Sequence, residues 1–287
     1  MKIAAYNVEL FDQERVPTES SAFRLLKQTP IARDITYLAV PWSIAINRNK
    51  LSEFAFEKSG RGFTICQHLA YEKIIPLLKR IKINVLFTPH VRKTYWGIKV
   101  MPFPHYAVNG IGPAEKKHIF YNFIGIDSTT QISSSLRRRL FQMRHPADAV
   151  VIEREFWHWD REMWGRDVSE KTQQQEKEEY QDILAHSRFS LCPRGAGAST
   201  IRFWESLQAG AIPVLLSDAM RLPEGIKWDE CIVRIKEKHV ERITDVLKQI
   251  STTQESYMRK KCVEAYRLFS GANLVSNIRR FYRDTAR

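Results

Sequence analysis

Between residues 189 and 218 runs the segment FSLCPRGAGASTIRFWESLQAGAIPVLLSD, the part of the chain best equipped for chemistry. FSLC reads as a buried strand, and PRGAGAST as a small-residue loop that ends on Ser199 or Thr200 as the N-cap of a helix. Such a loop offers backbone N–H groups and the positive end of a helix to an anion. Arg194 sits inside the loop, where its fork of donors suits a diphosphate. Arg202 falls in the first helical turn and Glu205 three residues later on nearly the same face. A carboxylate there can accept from two ribose hydroxyls. The segment contains neither GxxxxGK[ST] nor GxGxxG. An ordinary strand–turn–helix connection with two surface arginines and a capping serine is the competing reading.

The elements that position this loop follow from periodicity. Short apolar runs at 2–8, 35–40, 62–66, 84–88 and 99–103 are expected strands, with a helix over 71–82 bent at Pro76. Residues 108–113, VNGIGP, are rich in turn formers and read as a linker. Beyond it, strands are expected at 118–125, 149–152, 189–192 and 212–216. Helices are expected at 133–143, 178–186, 200–209 and 239–249, with a long closing helix from about 257. The polar tract 170–181 is expected to begin as a loop. Strands alternating with helices predict parallel βαβ units. The chain therefore reads as α/β, with two Rossmann-like domains facing across a cleft, 1–113 and 114–287, and ligands at the carboxyl ends of the strands.

With 287 residues, 44% hydrophobic and 27% charged, the chain can bury substantial cores, and its composition excludes disorder and collagen-like repeats. No apolar run reaches the roughly 18–20 residues of a membrane span. Glu9 and Asp12 interrupt any signal-peptide pattern, so a cytoplasmic location is expected. Cys66, Cys192, Cys231 and Cys262 form no CxxC pair and read as small buried hydrophobes. The net charge is +13, and residues 73–147 hold 13 Lys and Arg against two acids, Glu115 and Asp127, a local excess of +11. Phosphate-rich ligands, nucleic acid, an anionic membrane or a merely solvated face would all fit that excess.

The 189–218 segment resembles the signature of exostosin-type glycosyltransferases, glycosyltransferase family 47. Cys192, Pro193, Arg194, Gly195, Ser199, Arg202, Glu205, Leu207, Gly210, Ile212, Pro213, Val214 and Asp218 follow the pattern, and Ser206 stands where Ala is usual. The similarity is good over 116–270 and faint before that. It implies a GT-B fold, with the C-terminal helix packing back on the N-terminal domain. It also implies inverting transfer from a nucleotide-diphosphate sugar, usually a UDP-sugar, without a metal. The donor would then be held by Arg137, Arg194, Gly195, Ser199, Thr200, Arg202 and Glu205. Arg137 is the member of the 137–139 run that matches a family arginine; Arg138 and Arg139 read as helix-surface charges.

Inverting transfer needs a base for the acceptor hydroxyl. His68 and His90, just after strand ends, are the candidates, with Asp34 and Glu9 as further options. Trp157, Trp159 and Trp164 either stack on sugar rings or pack at a domain edge, and His158 among them either packs or meets a ring. The partners implied are a nucleotide-sugar donor and a glycan or lipid-linked glycan acceptor, in surface polysaccharide or glycoprotein glycan synthesis. Peripheral contact with an anionic membrane is a further expectation, drawn from the basic first half. A bacterial or viral source is expected, and no nucleic acid partner. Two alternatives stay open: a catalytically silent nucleotide-sugar- or glycan-binding subunit, and a basic nucleic-acid-binding protein.

Overall fold

The computed structural model describes residues 1–31, 34–53, 60–127, 135–155 and 170–284. Two all-parallel five-stranded sheets form the frame. In the first, β1 (Lys2–Ala5), β2 (Thr36–Ala39), β3 (Gly62–Ile65), β4 (Val85–Thr88) and β5 (Lys99–Pro102) lie in strictly sequential order. The three inner strands are buried at every residue because helices cover both faces of the sheet. Their side chains alternate as a strand requires. Leu38, Val40, Cys66 and Leu86 pack with α2 (Trp42–Asn47) and α3 (Ile75–Arg80). Tyr37, Ala39, Phe63, Ile65, Val85 and Phe87 pack with α1 (Thr18–Gln28) and with Leu274, Val275, Ile278 and Tyr282 from the end of the chain.

The second sheet contains β6 (Ile119–Gly125), β7 (Val150–Glu153), β8 (Ser187–Pro193), β9 (Ile212–Leu216) and β10 (Val233–Arg234) in the order β10-β9-β8-β6-β7. The chain steps outward from β6 to β7, then returns to the other side of β6 to lay down β8. That reversal creates a topological switch point between β6 and β8, where the loops after the strands diverge and leave a crevice. Around this sheet lie α4 (Ser135–Gln142), α5 (Glu170–His186), α6 (Ile201–Gln208), α7 (Ile243–Lys248) and α8 (Thr252–Leu268). The final helix, α9 (Ser276–Asp284), crosses back to the first sheet, where its neighbour Leu274 and its own Ile278 are buried. The implied architecture, two parallel α/β units with the C-terminal helix on the N-terminal one, is therefore present.

Several elements differ from the sequence reading. The helix expected over 71–82 is a 3-10 turn, Tyr71–Ile74, followed by α3, with Pro76 accommodated in the first α-helical turn. The polar tract thought to begin as a loop is helical from Glu170. It is rich in good helix formers, and the Gln174 side-chain amide donates to Glu178 one turn on at 2.6 Å. The single closing helix is broken into α8 and α9 by a 3-10 turn at Gly271, whose φ is +50°. The first strand stops at Ala5 because Asn7 turns left-handed (φ 49°) into a 3-10 helix, Val8–Gln13. Residues 103–118, between the sheets, contain no helix or strand.

Candidate functional site

The carboxyl ends of β6 and β8 carry the site. β8 delivers the chain into the loop 194–200, which is braced from β9: the Arg194 N–H donates to the Leu216 carbonyl (3.1 Å) and the Ser217 hydroxyl to the Ala198 carbonyl (2.7 Å). Thr200 occupies the N-cap position of α6 in extended conformation, and its side chain makes no capping bond. The Ser199 hydroxyl is buried with no hydrogen-bond partner. The first turn of α6 thus keeps its N–H groups without a side-chain acceptor, and a buried hydroxyl waits beside them.

Two arginines converge on the same crevice. Arg202 is held between the rings of Phe123 (5.1 Å) and Tyr180 (5.0 Å) and donates through Nη2 to the Ile124 carbonyl; its Nη1 is buried and unpartnered. Arg137, from α4, lies 5.9 Å from the same Phe123 ring and donates to the carbonyls of Ile126 (3.3 Å) and Arg194 (3.4 Å). Burial, together with the Arg202 charge, pushes the Arg137 guanidinium down to about 10. Neither arginine has a salt-bridge partner among the described residues. Gly195 keeps the gap open: a Cβ there would lie 4.0 Å from Arg137 Nη2 and 3.9 Å from the Ser199 carbonyl. Two neighbouring cations at an uncapped helix end form a strongly anion-seeking locus. Arg138 and Arg139 are turned outward, to Asp127 (3.0 Å) and Glu241 (2.6 Å).

Arg194 and Glu205 are differently placed. The Arg194 Nε donates to Glu237 Oε2 at 3.0 Å, and Glu237 Oε1 accepts from the Asp218 N–H. This arginine therefore ties its loop to the segment after β10. Glu205 is 4% exposed, with Oε1 accepting from the Asn109 N–H (2.8 Å) and Oε2 from the Tyr180 hydroxyl (2.7 Å). Burial pushes its carboxyl up, and those two donors and Arg202 oppose that. Each carboxylate oxygen thus already accepts one bond from the protein, and Glu205 fastens the inter-sheet segment to the donor-side helix. Glu237, 43 residues from Arg194, and Asn109, 96 residues from Glu205, carry no local sequence signal. Tyr180 falls in the polar tract 170–181 and Phe123 in the strand expected at 118–125, and neither is marked for the site by its local sequence.

The two candidate bases also separate. His68 donates through Nε2 to Asn47 Oδ1 (2.8 Å), while its Nδ1 accepts the Ala70 N–H (3.0 Å). Its one lone pair is in use, and burial lowers its pKa to about 4. His90, at the end of β4, is buried; its Nδ1 has no partner and lies against Gly197 of the donor-side loop, where an added Cβ would come within 2.4 Å of it. Burial holds the imidazole neutral, with His105 (ring centroids 5.2 Å apart) acting in the same direction. His90 is where the first sheet meets the loop of the second. Gly197, which the sequence reading passed over, is the residue whose missing side chain allows that approach. Among the described residues, no hydrogen bond or ion pair joins Asp34 or Glu9 to this cluster. Trp157, His158, Trp159 and Trp164 lie outside the described residues.

All four cysteines are free and buried, and burial pushes the thiols of Cys192 and Cys231 up to about 12. Among the described residues no cluster of His, Cys, Asp and Glu is set to hold a metal ion, and no helix is long and apolar enough to cross a membrane.

Residues 83–250 match the exostosin GT47 domain. Exostosin-1 of Drosophila melanogaster is 30% identical over 164 residues, 56% of this chain and 21% of that protein. Exostosin-1 of Bos taurus is 30% identical over 146 residues, 50% of this chain and 19% of that one. The chain thus matches only about a fifth of the length of these relatives. Among solved structures, TarM aligns over 92% of this chain and 57% of its own at 11% identity and a TM-score of 0.44. The pneumococcal O-GlcNAc transferase GtfA, in complex with UDP and GlcNAc, aligns over 93% and 58% at 10% identity and a TM-score of 0.42. With the domain match spanning more than half its length and including the whole 189–218 signature, this chain belongs to the exostosin GT47 glycosyltransferase family.

Proposed function

We propose that the chain transfers a sugar from a nucleotide-diphosphate sugar, a UDP-sugar, to a glycan acceptor with inversion at the anomeric carbon. The observation that carries this reading is the Arg137–Arg202 pair. These two guanidiniums share the switch-point crevice beside the uncapped N-terminus of α6, and neither has an ion-pair partner among the described residues. A leaving diphosphate develops charge as the glycosidic bond breaks, and preorganised cations and helix N–H groups are what lower the energy of that state. The cations present can perform this work themselves, so the proposed reaction requires no metal.

In the proposed step the acceptor hydroxyl oxygen attacks the anomeric carbon from the face opposite the diphosphate. The new C–O bond forms as the bond to UDP breaks, the leaving oxygen taking its electron pair toward Arg137 and Arg202. The hydroxyl proton passes to Nδ1 of His90. His90 suits this role better than His68, because its acceptor nitrogen is unpartnered and it adjoins the donor-side loop. The His90–Gly197 contact must open for the acceptor to enter, so catalysis requires the two units to separate at this seam.

The test is UDP release across a panel of UDP-sugars and glycan acceptors, with and without a chelator. Turnover that survives the chelator, and a fall in kcat for His90→Ala with UDP affinity retained, are expected. Absence of turnover with every donor, alongside intact UDP binding, would replace this reading with that of a silent binding subunit.

A further inference from the structure

A second surface lies at the opposite edge of the first sheet. Between the amino ends of β4 and β5 the chain makes a tight turn, Tyr95 bridging Ile98, with Gly97 at φ +77°. The turn carries Trp96 outward, 91% exposed. Beside it is a hollow of about 290 Å³ lined by Lys79, Lys82, Ile83, Asn84, Trp96 and Gly97. Residues 73–99 hold seven Lys and Arg, all exposed, and no acid. Glu72 at the border is occupied by the Tyr95 hydroxyl (2.9 Å) and approached by Lys93 (3.7 Å), and Lys99 sits over the Phe281 ring at 4.7 Å.

We propose that this surface docks the protein on an anionic lipid bilayer, with the Trp96 indole entering the interface and Lys79 and Lys82 meeting headgroup phosphates. Charge complementarity selects an anionic partner. The bareness of Trp96 selects a bilayer over a glycan. An indole that serves as a stacking platform for sugar has one face braced by its own protein, which fixes it in place. At 91% exposure neither face of Trp96 is braced. An unbraced indole ringed by ammonium groups is the residue pattern of a membrane–water interface. The arrangement also orients the molecule. β4 is four residues long, about 13 Å. His90 lies at its far end, so the transfer cleft opens away from the lipid and the acceptor end reaches it from the aqueous side.

Sedimentation of the full chain with vesicles tests this, using phosphatidylcholine alone and phosphatidylcholine with about a third phosphatidylglycerol, at about 0.1 M salt. Binding to the anionic vesicles only is expected. Each removed cation should cost about fivefold in affinity, so the Lys79→Gln, Lys82→Gln double variant binds about 25-fold more weakly. Trp96→Ala should bind at least several-fold more weakly, with the blue shift of tryptophan emission on vesicles diminished, and UDP affinity should stay unchanged in all variants. Equal binding to neutral vesicles, or vesicle binding untouched by the substitutions, overturns the proposal. So does Trp96-dependent capture by a soluble acidic glycan with no binding to vesicles, which would assign the hollow to a sugar chain.

Discussion

Arg137→Met separates a ligand-holding arginine from a structural one, because the two roles move stability and affinity in opposite senses. Burial and the Arg202 charge lower the Arg137 guanidinium from 12.5 to about 10. A displacement of that size corresponds to about 3 kcal/mol opposing the charged form in the unliganded protein. Against it stand two long hydrogen bonds, 3.3 and 3.4 Å, to the carbonyls of Ile126 and Arg194, worth about 0.5–1.5 kcal/mol each. Methionine keeps an unbranched apolar stem, removes the charge and relieves Arg202. The unliganded variant should therefore be as stable as the parent or up to about 2 kcal/mol more stable, which for a chain of this size raises Tm by a few degrees. A diphosphate, however, loses a charge-assisted bond of about 1.5–3 kcal/mol, so UDP should bind about 10–150-fold more weakly. Calorimetric titration with UDP and thermal unfolding of the same samples measure both. Should Tm drop by several degrees while UDP affinity holds, Arg137 is a structural residue and the reasoning fails.

Three further predictions rest on other contacts. Gly197→Ala places a methyl 2.4 Å from His90 Nδ1 and should destabilise the closed seam. Thermal unfolding should show a stability loss for Gly197→Ala that vanishes when it is combined with His90→Ala. Tyr180→Phe leaves the buried Glu205 Oε2 without its donor and should cost about 1–3 kcal/mol in chemical denaturation. Lys117 donates to the carbonyls of Ala185 and Ala209, and burial lowers it from 10.5 to about 8. Between those values the unfolded chain binds more protons at this site than the folded one, so its contribution to stability rises from pH 8 to 10.5. Denaturation midpoints of Lys117→Met against the parent across that range should show the slope removed.

How far these features could be read from residues alone differs by element. The inner strands and the strand–loop–helix of 189–218 were legible because buried parallel strands are continuous apolar runs and the loop has a distinct composition. Helix α1 was not. Its apolar stripe is short, chiefly Ala22 and Leu26, while its first turn buries the polar residues Thr18, Glu19 and Ser20. The strand order was equally out of reach, so the placement of Arg137 beside Arg202 depended on the family resemblance. The occupation of Glu205 by Asn109 and Tyr180, and of Arg194 by Glu237, arises from tertiary contacts between distant segments. For His68 and His90, what distinguishes them is the direction of a lone pair, which spacing does not encode.

The proposed diphosphate site comprises Arg137, Arg202 and the N-terminus of α6. A crystal structure of the protein with UDP tests it most directly. Diphosphate oxygens should lie about 2.7–2.9 Å from nitrogens of both guanidiniums and face the first N–H groups of α6. A diphosphate bound elsewhere, with the Arg137–Arg202 pair unliganded, would contradict it.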